Sequence, residues 1–571
     1  MGVFFGGRLI TSPAVASVVD DSGLANKNLT VGNVVALIGR SAGGQPKTAL
    51  RFGSPDQAKA ALISGELLDA VLKAFDPSAQ TGSPAEVVAM RVNPALQSSL
   101  TLVDGTSANA IDLKSTDYGL VANSIKIKVE AATNLGKKLT VQRGQSYYSQ
   151  DDVYRKAMSV RYTGAQATGT MTIAGNTITL QAPAGNTVAT VDLTVYDSVQ
   201  EVVDYINSVT GFTAAVLDGN GEKVALQGLD FVTNVDVKSA LYTVRADLQA
   251  CIDWINGNAE GFLDATRATG AGAPPANIGF TYLAGGTDGT VTNSDWSDCY
   301  TALQQEDVQW VVPISSDPSI HAMNDTHCSF MSTVGQMERR GIVGTAANTS
   351  DAAAITAALA LNSDRTSLVH IGYYDYNSDG KLTLYPAYMT AALIAGAFAS
   401  VNPGTPLTNK TIKVRGLERY LRNPTDTDQL IKGGVLCVER TKKGYKVVQS
   451  ITTWLANDNY NRVEVSTGVA VDFVARNVRD VLDDLRGMKG TPILLAQAVS
   501  RVDSTLKELA RAEPQGPGVI TGDKANPAYK NIQAQLDGDV LRVQFECHPV
   551  IGVNYVLVSI FATAFSGSAS A

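Results

Sequence analysis

The chain has 571 residues, with 46 Lys and Arg against 54 Asp and Glu for a formal charge of −8, and is 44% hydrophobic. That is the composition of a folded globular protein, with room for about three or four domains at roughly 150 residues each. A net acidic chain is a poor candidate for wrapping nucleic acid, and its five cysteines, which show no CxxC spacing, read as reduced, mostly buried thiols.

The opening MGVFFGGRLITSP lacks the basic n-region and long apolar stretch of a secretory signal, so folding in a cytoplasm is expected. Residues 1–25 hold one strand-like piece, Val15–Val19, with no partner nearby in sequence, and read as an N-terminal arm. NVVALIG (Asn33–Gly39) is a nearly continuous apolar run that suits a strand buried on both faces. A helix over SPDQAKAALISGELLDAVLKAF, with Ser54 as N-cap and Pro55 at its first position, and the strand EVVAMRV then complete a β-α-β unit with a parallel sheet.

That alternation stops over residues 98–270, where short alternating strands such as TMTIAGNTITL mix with a few helices such as SVQEVVDYINS. It resumes with VQWVVPI, a helix near Ile320–Arg340, GIVG, a Ser350-capped helix, LVHIGYY and the Pro386–Val401 helix. The fold class expected is therefore α/β and α+β multidomain. Residues 26–97 and 271–405 form a split α/β middle domain, and residues 98–270 an inserted, peripheral, β-rich domain.

Residues 406–552 read as a separate α+β domain. TIKVRGLERYL and GGVLCVER are strand-like, and two amphipathic helices follow, Asp472–Arg486 and Pro492–Glu513, the second capped by Thr491. DVLRVQFE alternates with Leu541, Val543 and Phe545 inward. VNYVLVSIFATA, apolar on both faces, reads as a terminal strand or arm over residues 553–571. Neither this run nor YMTAALIAGAFASV reaches the roughly 20 residues a membrane helix needs.

Several motifs suggest chemistry and fail on their own requirements. DYNSDG fills the first EF-hand positions with Asp375, Asn377, Asp379 and Gly380, but the twelfth position is Pro386, so a hairpin turn fits better. Ser107 in DGTSANA resembles a subtilisin-type serine, yet none of the four histidines sits in a matching context. His321, His327 and Cys328 match no usual zinc spacing, and LAGGTDG lacks the Gly-Lys-Ser/Thr ending of a phosphate loop. No catalytic residue, cofactor or metal site is expected, and the chain does not read as an enzyme. From Lys410 to Lys446, ten Lys or Arg face four Asp or Glu, a local surplus of +6 that suits an acidic protein partner.

The order of segments resembles the tail sheath proteins of contractile bacteriophages. The likeness is carried by SPAVASVVD, VVALIGRSAGGQPKTALRFGSPDQAKA, DYGLVANSIKIKVE, LAGGTDGTVTNSDW, LVHIGYYDYNSDGKLTLYPAYMTAALIAGAFA, RYLRNPTD, VVQSITTW and ECHPVIGVNYVLVSI. The resemblance implies a structural subunit that stacks as six-fold rings into a helical polymer around a tail tube and contracts to drive that tube through the host envelope. Its implied partners are itself, the tail tube protein, and baseplate and terminator proteins; its implied location is the virion.

On that reading the terminal strands are donated to neighbouring subunits by β-augmentation, through Val15, Val18 and Val19 at one end and Val556, Val558 and Ile560 at the other. Arg415, Arg419 and Lys432 are expected to meet an acidic tube surface. A sheath of a phage-tail-like bacteriocin or a type VI secretion machine is the near alternative, and a serine hydrolase or a calcium-binding surface protein the distant ones.

Overall fold

The computed structural model describes residues 3–5, 8–10, 34–226, 228–377 and 380–562. Val15, Val18 and Val19 lie outside the described residues. What is described of the N-terminus is an antiparallel pairing of Val3–Phe5 with Arg8–Ile10. The intervening Gly6-Gly7 dipeptide is a hairpin signal that the sequence reading passed over.

The chain divides into two compact units. The first comprises residues 1–36, 73–87 and 307–571; the second comprises residues 37–72 and 88–306.

In the first unit, parallel strands Trp310–Pro313, Arg340–Gly344, Thr366–His370 and Val435–Thr441 stand side by side. Gly444–Val447 and Thr411–Ile412 extend the sheet as antiparallel additions. The strands are short apolar runs, and the Ala387–Ala399 helix packed on them is apolar all round, with every residue except Tyr388 buried. Ser350 caps the Asp351–Leu361 helix by accepting the Ala353 N–H at 3.3 Å, as its sequence position demands.

The division expected after residue 405 does not fall between sheets, because Val435–Thr441 pairs directly with Thr366–His370. Its VLCV segment is buried throughout, the mark of a strand with neighbours on both sides. TIKVRGLERYL forms only the short strands Thr411–Ile412 and Gly416–Leu417. A distinct layer begins later, with helices Val465–Asp483 and Pro492–Leu509 packed on the antiparallel hairpin Tyr529–Asp537/Val540–Cys547. Leu541, Val543 and Phe545 face the helices as their alternation requires. In the second helix, Leu494 and Ala498 are buried, with Leu495 and Val499 half-buried beside them.

The expected single helix after Ser54 is two, Pro55–Leu62 and Glu66–Phe75. Ile63 and Gly65 take φ of 65° and 111°, which breaks the helical path, and Ser54 makes no side-chain cap.

Within the second unit, the described residues of the insertion gather into two hydrophobic cores. One gathers residues 102–153 and 248–283 around the Asp247–Asn258 helix; the other gathers residues 157–246 around the Val199–Ser208 helix. The insertion therefore carries a further insertion between Val153 and Leu248. Its first part runs past residue 270, since Ile278–Tyr282 pairs with the Ile125–Ala131 strand.

Candidate functional site

The chemical motifs resolve into structural devices. Tyr373–Tyr376 and Leu382–Tyr385 pair as an antiparallel hairpin, and Asn377 exchanges backbone hydrogen bonds with Lys381 and Gly380 at its tip. Asp375 is held by Lys73 and lies 3.9 Å from Arg415 Nε, so its carboxylate serves cationic side chains. Ser107 sits in a tight loop at φ 68°, where Asp104 Oδ1 accepts the N–H groups of Thr106 and Ala108 at 2.8 and 3.0 Å. The four histidines all belong to the other unit.

His321 Nε2 bonds Ser315 O at 2.9 Å, and Arg339 Nη1 donates to His327 Nε2 at 3.0 Å. Burial, reinforced by Arg339, pushes His327 down to about 3, and burial pushes the Cys328 thiol up to about 12. Neutral imidazoles and inert thiols in a helix-sheet interface are packing groups. Among the described residues no group of three or more His, Cys, Asp or Glu could hold a metal, and no helix is long and apolar enough to cross a membrane.

The glycine-rich loop LAGGTDG is filled by the protein itself. Arg91, fully buried, donates to Gly44 O and Tyr118 O at 3.0 Å and to Asp288 Oδ1 at 2.8 Å. Asn123 closes a reciprocal pair with Gly286, at 2.8 Å and 2.9 Å. Gly119, at φ 95°, leaves room for this clasp: a Cβ there would lie 2.3 Å from Asp288 Oδ1. The glycines serve close backbone approach at the neck of the insertion. Sequence reading missed the clasp, although DYG and GGTDG both carried turn signals.

The C-terminal segment leaves a run of apolar residues exposed. After Val550, whose N–H donates to Val519 O at 3.0 Å, the chain leaves the body. Val556, Val558 and Ile560 are 75–86% exposed, their apolar neighbours Leu557 and Phe561 more so, and no residue from 551 to 562 lies in a strand. The expected terminal strand is thus present as unpaired chain. One side chain tethers it: Asn554 Nδ2 donates to Glu464 Oε2 at 3.2 Å, and Asn554 Oδ1 accepts from Thr408 Oγ1 at 3.0 Å.

Glu464 is buried at the start of the Val465–Asp483 helix and also accepts from Ser450 and Ser466, at 2.6 and 3.2 Å. Burial raises its pKa despite these donors. The hairpin Tyr529–Asp537/Val540–Cys547 is a two-stranded sheet, so among the described residues each strand keeps one unpaired edge.

The basic strip is less uniform than its count suggests. Arg415 and Arg419 flank the Gly416–Leu417 strand. Arg415 lies over the Tyr376 ring at 5.8 Å, whereas Arg419 is bound to Asp351. Lys432 ends a different helix, Thr425–Lys432, and lines a pocket of about 350 Å³ with Asn554 and Tyr555. It therefore stands beside the C-terminal segment and apart from the arginines in sequence and element.

With this geometry in view, the likenesses to known proteins are coherent. Residues 289–453 match the phage tail sheath protein central domain. The chain is 28% identical to the tail sheath protein of Bacillus phage SP01, over 98% of this chain and 96% of that one. It is 23% identical to the tail sheath protein of Staphylococcus phage Twort, over 97% of each. The sheath tail protein from Desulfitobacterium hafniense shares the fold at a TM-score of 0.55 and 12% identity, covering 94% of this chain and 96% of that one. The one from Listeria innocua does so at a TM-score of 0.55 and 15% identity, covering 91% and 92%. Along its whole length the chain is similar in sequence to the tail sheath proteins of phages, and it shares the fold of solved sheath tail proteins.

Proposed function

We propose that this chain polymerises as stacked six-fold rings into a helical sheath around a tail tube, and that the sheath contracts to drive the tube through the host envelope. One observation carries the reading: a single chain holds both an exposed apolar terminal segment and a hairpin with two unpaired edges. Main-chain pairing of one with the other is β-augmentation, and a head-to-tail contact that does not close grows a filament. Val556, Val558 and Ile560 are the donor positions at this end, with Val15, Val18 and Val19 proposed for the other.

Baseplate and terminator proteins bound the polymer in the virion, assembled in the host cytoplasm. Arg415, Arg419 and Lys432 meet an acidic tube surface through screened contacts of about 0–1 kcal/mol each, weak enough to break on contraction. An advantage of only a few kcal/mol per subunit for the contracted lattice then suffices along a cooperative polymer. Full-length phage relatives favour a phage over a bacteriocin or type VI-like machine.

Negative-stain microscopy across a concentration series tests the assembly. Hollow tubes are expected from the full chain and none from a chain ending at Gly552. Tubes of equal length from the truncated chain would refute strand donation at this end.

A further inference from the structure

The solvent face of an antiparallel sheet is normally polar, but one sheet of the second unit departs from this. Its strand order is Ser146–Val153, Lys137–Arg143, Ile125–Ala131, Ile278–Tyr282. Ile125, Ile127, Val129, Leu139 and Val141 point into the core, so the alternate residues point out. Directly opposed across the four strands stand Tyr147, Gln142, Lys126 and Tyr282. Tyr147 is 66%, Tyr282 57% and Phe280 44% exposed.

Lys126 Nζ lies 4.6 Å from the Phe280 ring centre and 5.5 Å from that of Tyr282. Among the described residues Lys126 has no carboxylate partner; Lys128 pairs with Glu130 at 2.7 Å, and Lys138 stands opposite Glu130. Three lysines stand against Glu130 and against Asp151, which lies within electrostatic range of Lys138, so the face keeps a small cationic surplus on a chain whose net charge is −8.

We propose that this face is a docking platform for an acidic polysaccharide. The two outer tyrosines are about 14 Å apart at roughly 4.8 Å per strand, a span that fits a short run of sugar rings. Their exposed ring surfaces suit the apolar faces of sugars, Gln142 and the Thr140–Ser149 hydroxyl pair suit hydroxyls, and the unpaired ammonium of Lys126 suits a carboxylate. Single-stranded nucleic acid fits less well. The platform holds no arginine with which to follow a phosphate backbone. A protein partner fits less well too, since protein interface cores are depleted in lysine.

The test is binding of the full chain, below its polymerisation concentration, to sensor surfaces coated with alginate, dextran or poly(dT). Binding to alginate and not to dextran is expected. Lys126→Gln, Tyr282→Ala and Tyr147→Ala should each weaken it on the order of tenfold, while Lys223→Gln, elsewhere on the same unit, should leave it unchanged. These side chains are exposed or half-buried, and an unaltered circular dichroism spectrum shows that a variant is folded.

No binding to alginate would overturn the proposal, as would equal binding to dextran or indifference to all three substitutions. Stronger binding to poly(dT) with the same dependence on Tyr282 would replace it with a nucleic-acid surface.

Discussion

Asp472 on the Val465–Asp483 helix joins that helix to the ends of two sheet strands. It accepts from Arg340 at 2.9 Å and from Arg365 at 2.8 Å, and Arg340 itself is buried. Asp472→Ala would leave two guanidinium groups sharing an apolar site without their common counter-charge. Removing one partner of a buried ion pair costs about 3–5 kcal/mol, because the stranded charge keeps its desolvation penalty. Arg340 retains one bond, to Asp364 O at 3.0 Å, so a value near 3 kcal/mol is expected.

Hydrogen-exchange mass spectrometry on peptides from residues 465–483 reads this as local opening. A loss of about 3 kcal/mol corresponds to amides exchanging roughly 150-fold faster. The Val199–Ser208 helix of the other unit serves as the internal control and should not change. An acceleration below about tenfold, or an equal one in the control helix, would refute the assignment of Asp472 as the staple.

Gly119→Ala places a methyl 2.3 Å from Asp288 Oδ1 at a φ of 95°, and should destabilise the second unit by about 3 kcal/mol, read by urea unfolding. Asp230 is raised to about 6 by burial, which outweighs the Asp247 and Leu248 N–H groups it accepts. A carboxyl raised on folding favours the fold below its unfolded pKa and loses that contribution as pH rises through about 6. Asp230→Asn should therefore gain on the parent by about 2 kcal/mol between pH 4 and pH 7, whatever constant offset the lost acceptor introduces, and urea midpoints at the two pH values measure the difference. Asn554→Ala should leave the melting temperature unchanged while chymotrypsin cuts after Tyr555 several-fold faster; an unchanged rate would show that Asn554 tethers nothing.

Much of the α/β frame was legible because its signals are local. Apolar runs such as VVALIG, caps such as Ser350, and the Gly175-Asn176 turn between Thr170–Ala174 and Thr177–Gln181 each act within a few residues. What escaped depends on distant partners. The placement of Val435–Thr441 beside Thr366–His370 is a tertiary choice, and so is the nesting of one core inside another. The Arg91 clasp draws on residues 44, 118 and 288, which no window of sequence unites. Asn554 was hidden by its setting, a lone amide in an apolar run read as a uniform strand. In the basic strip, charge counting could not separate Arg419, already committed to Asp351, from the exposed Lys432.

The neck of the insertion has a practical use. Leu96 and Ser99 on the way out exchange backbone hydrogen bonds with Thr287 and Ala284 on the way back, at 2.8–3.1 Å. The two crossings are thus fastened to each other, and Arg91 and Asn123 lock the join from the side. Whatever lies beyond that join hangs from a pair of adjacent ends, the geometry a foreign module needs to be spliced in without stretching its host. A cargo domain with neighbouring termini, grafted in place of the nested core between Val153 and Leu248, would leave the neck untouched. If the subunit polymerises as proposed, the cargo would be displayed once per subunit, making the assembly a periodic scaffold.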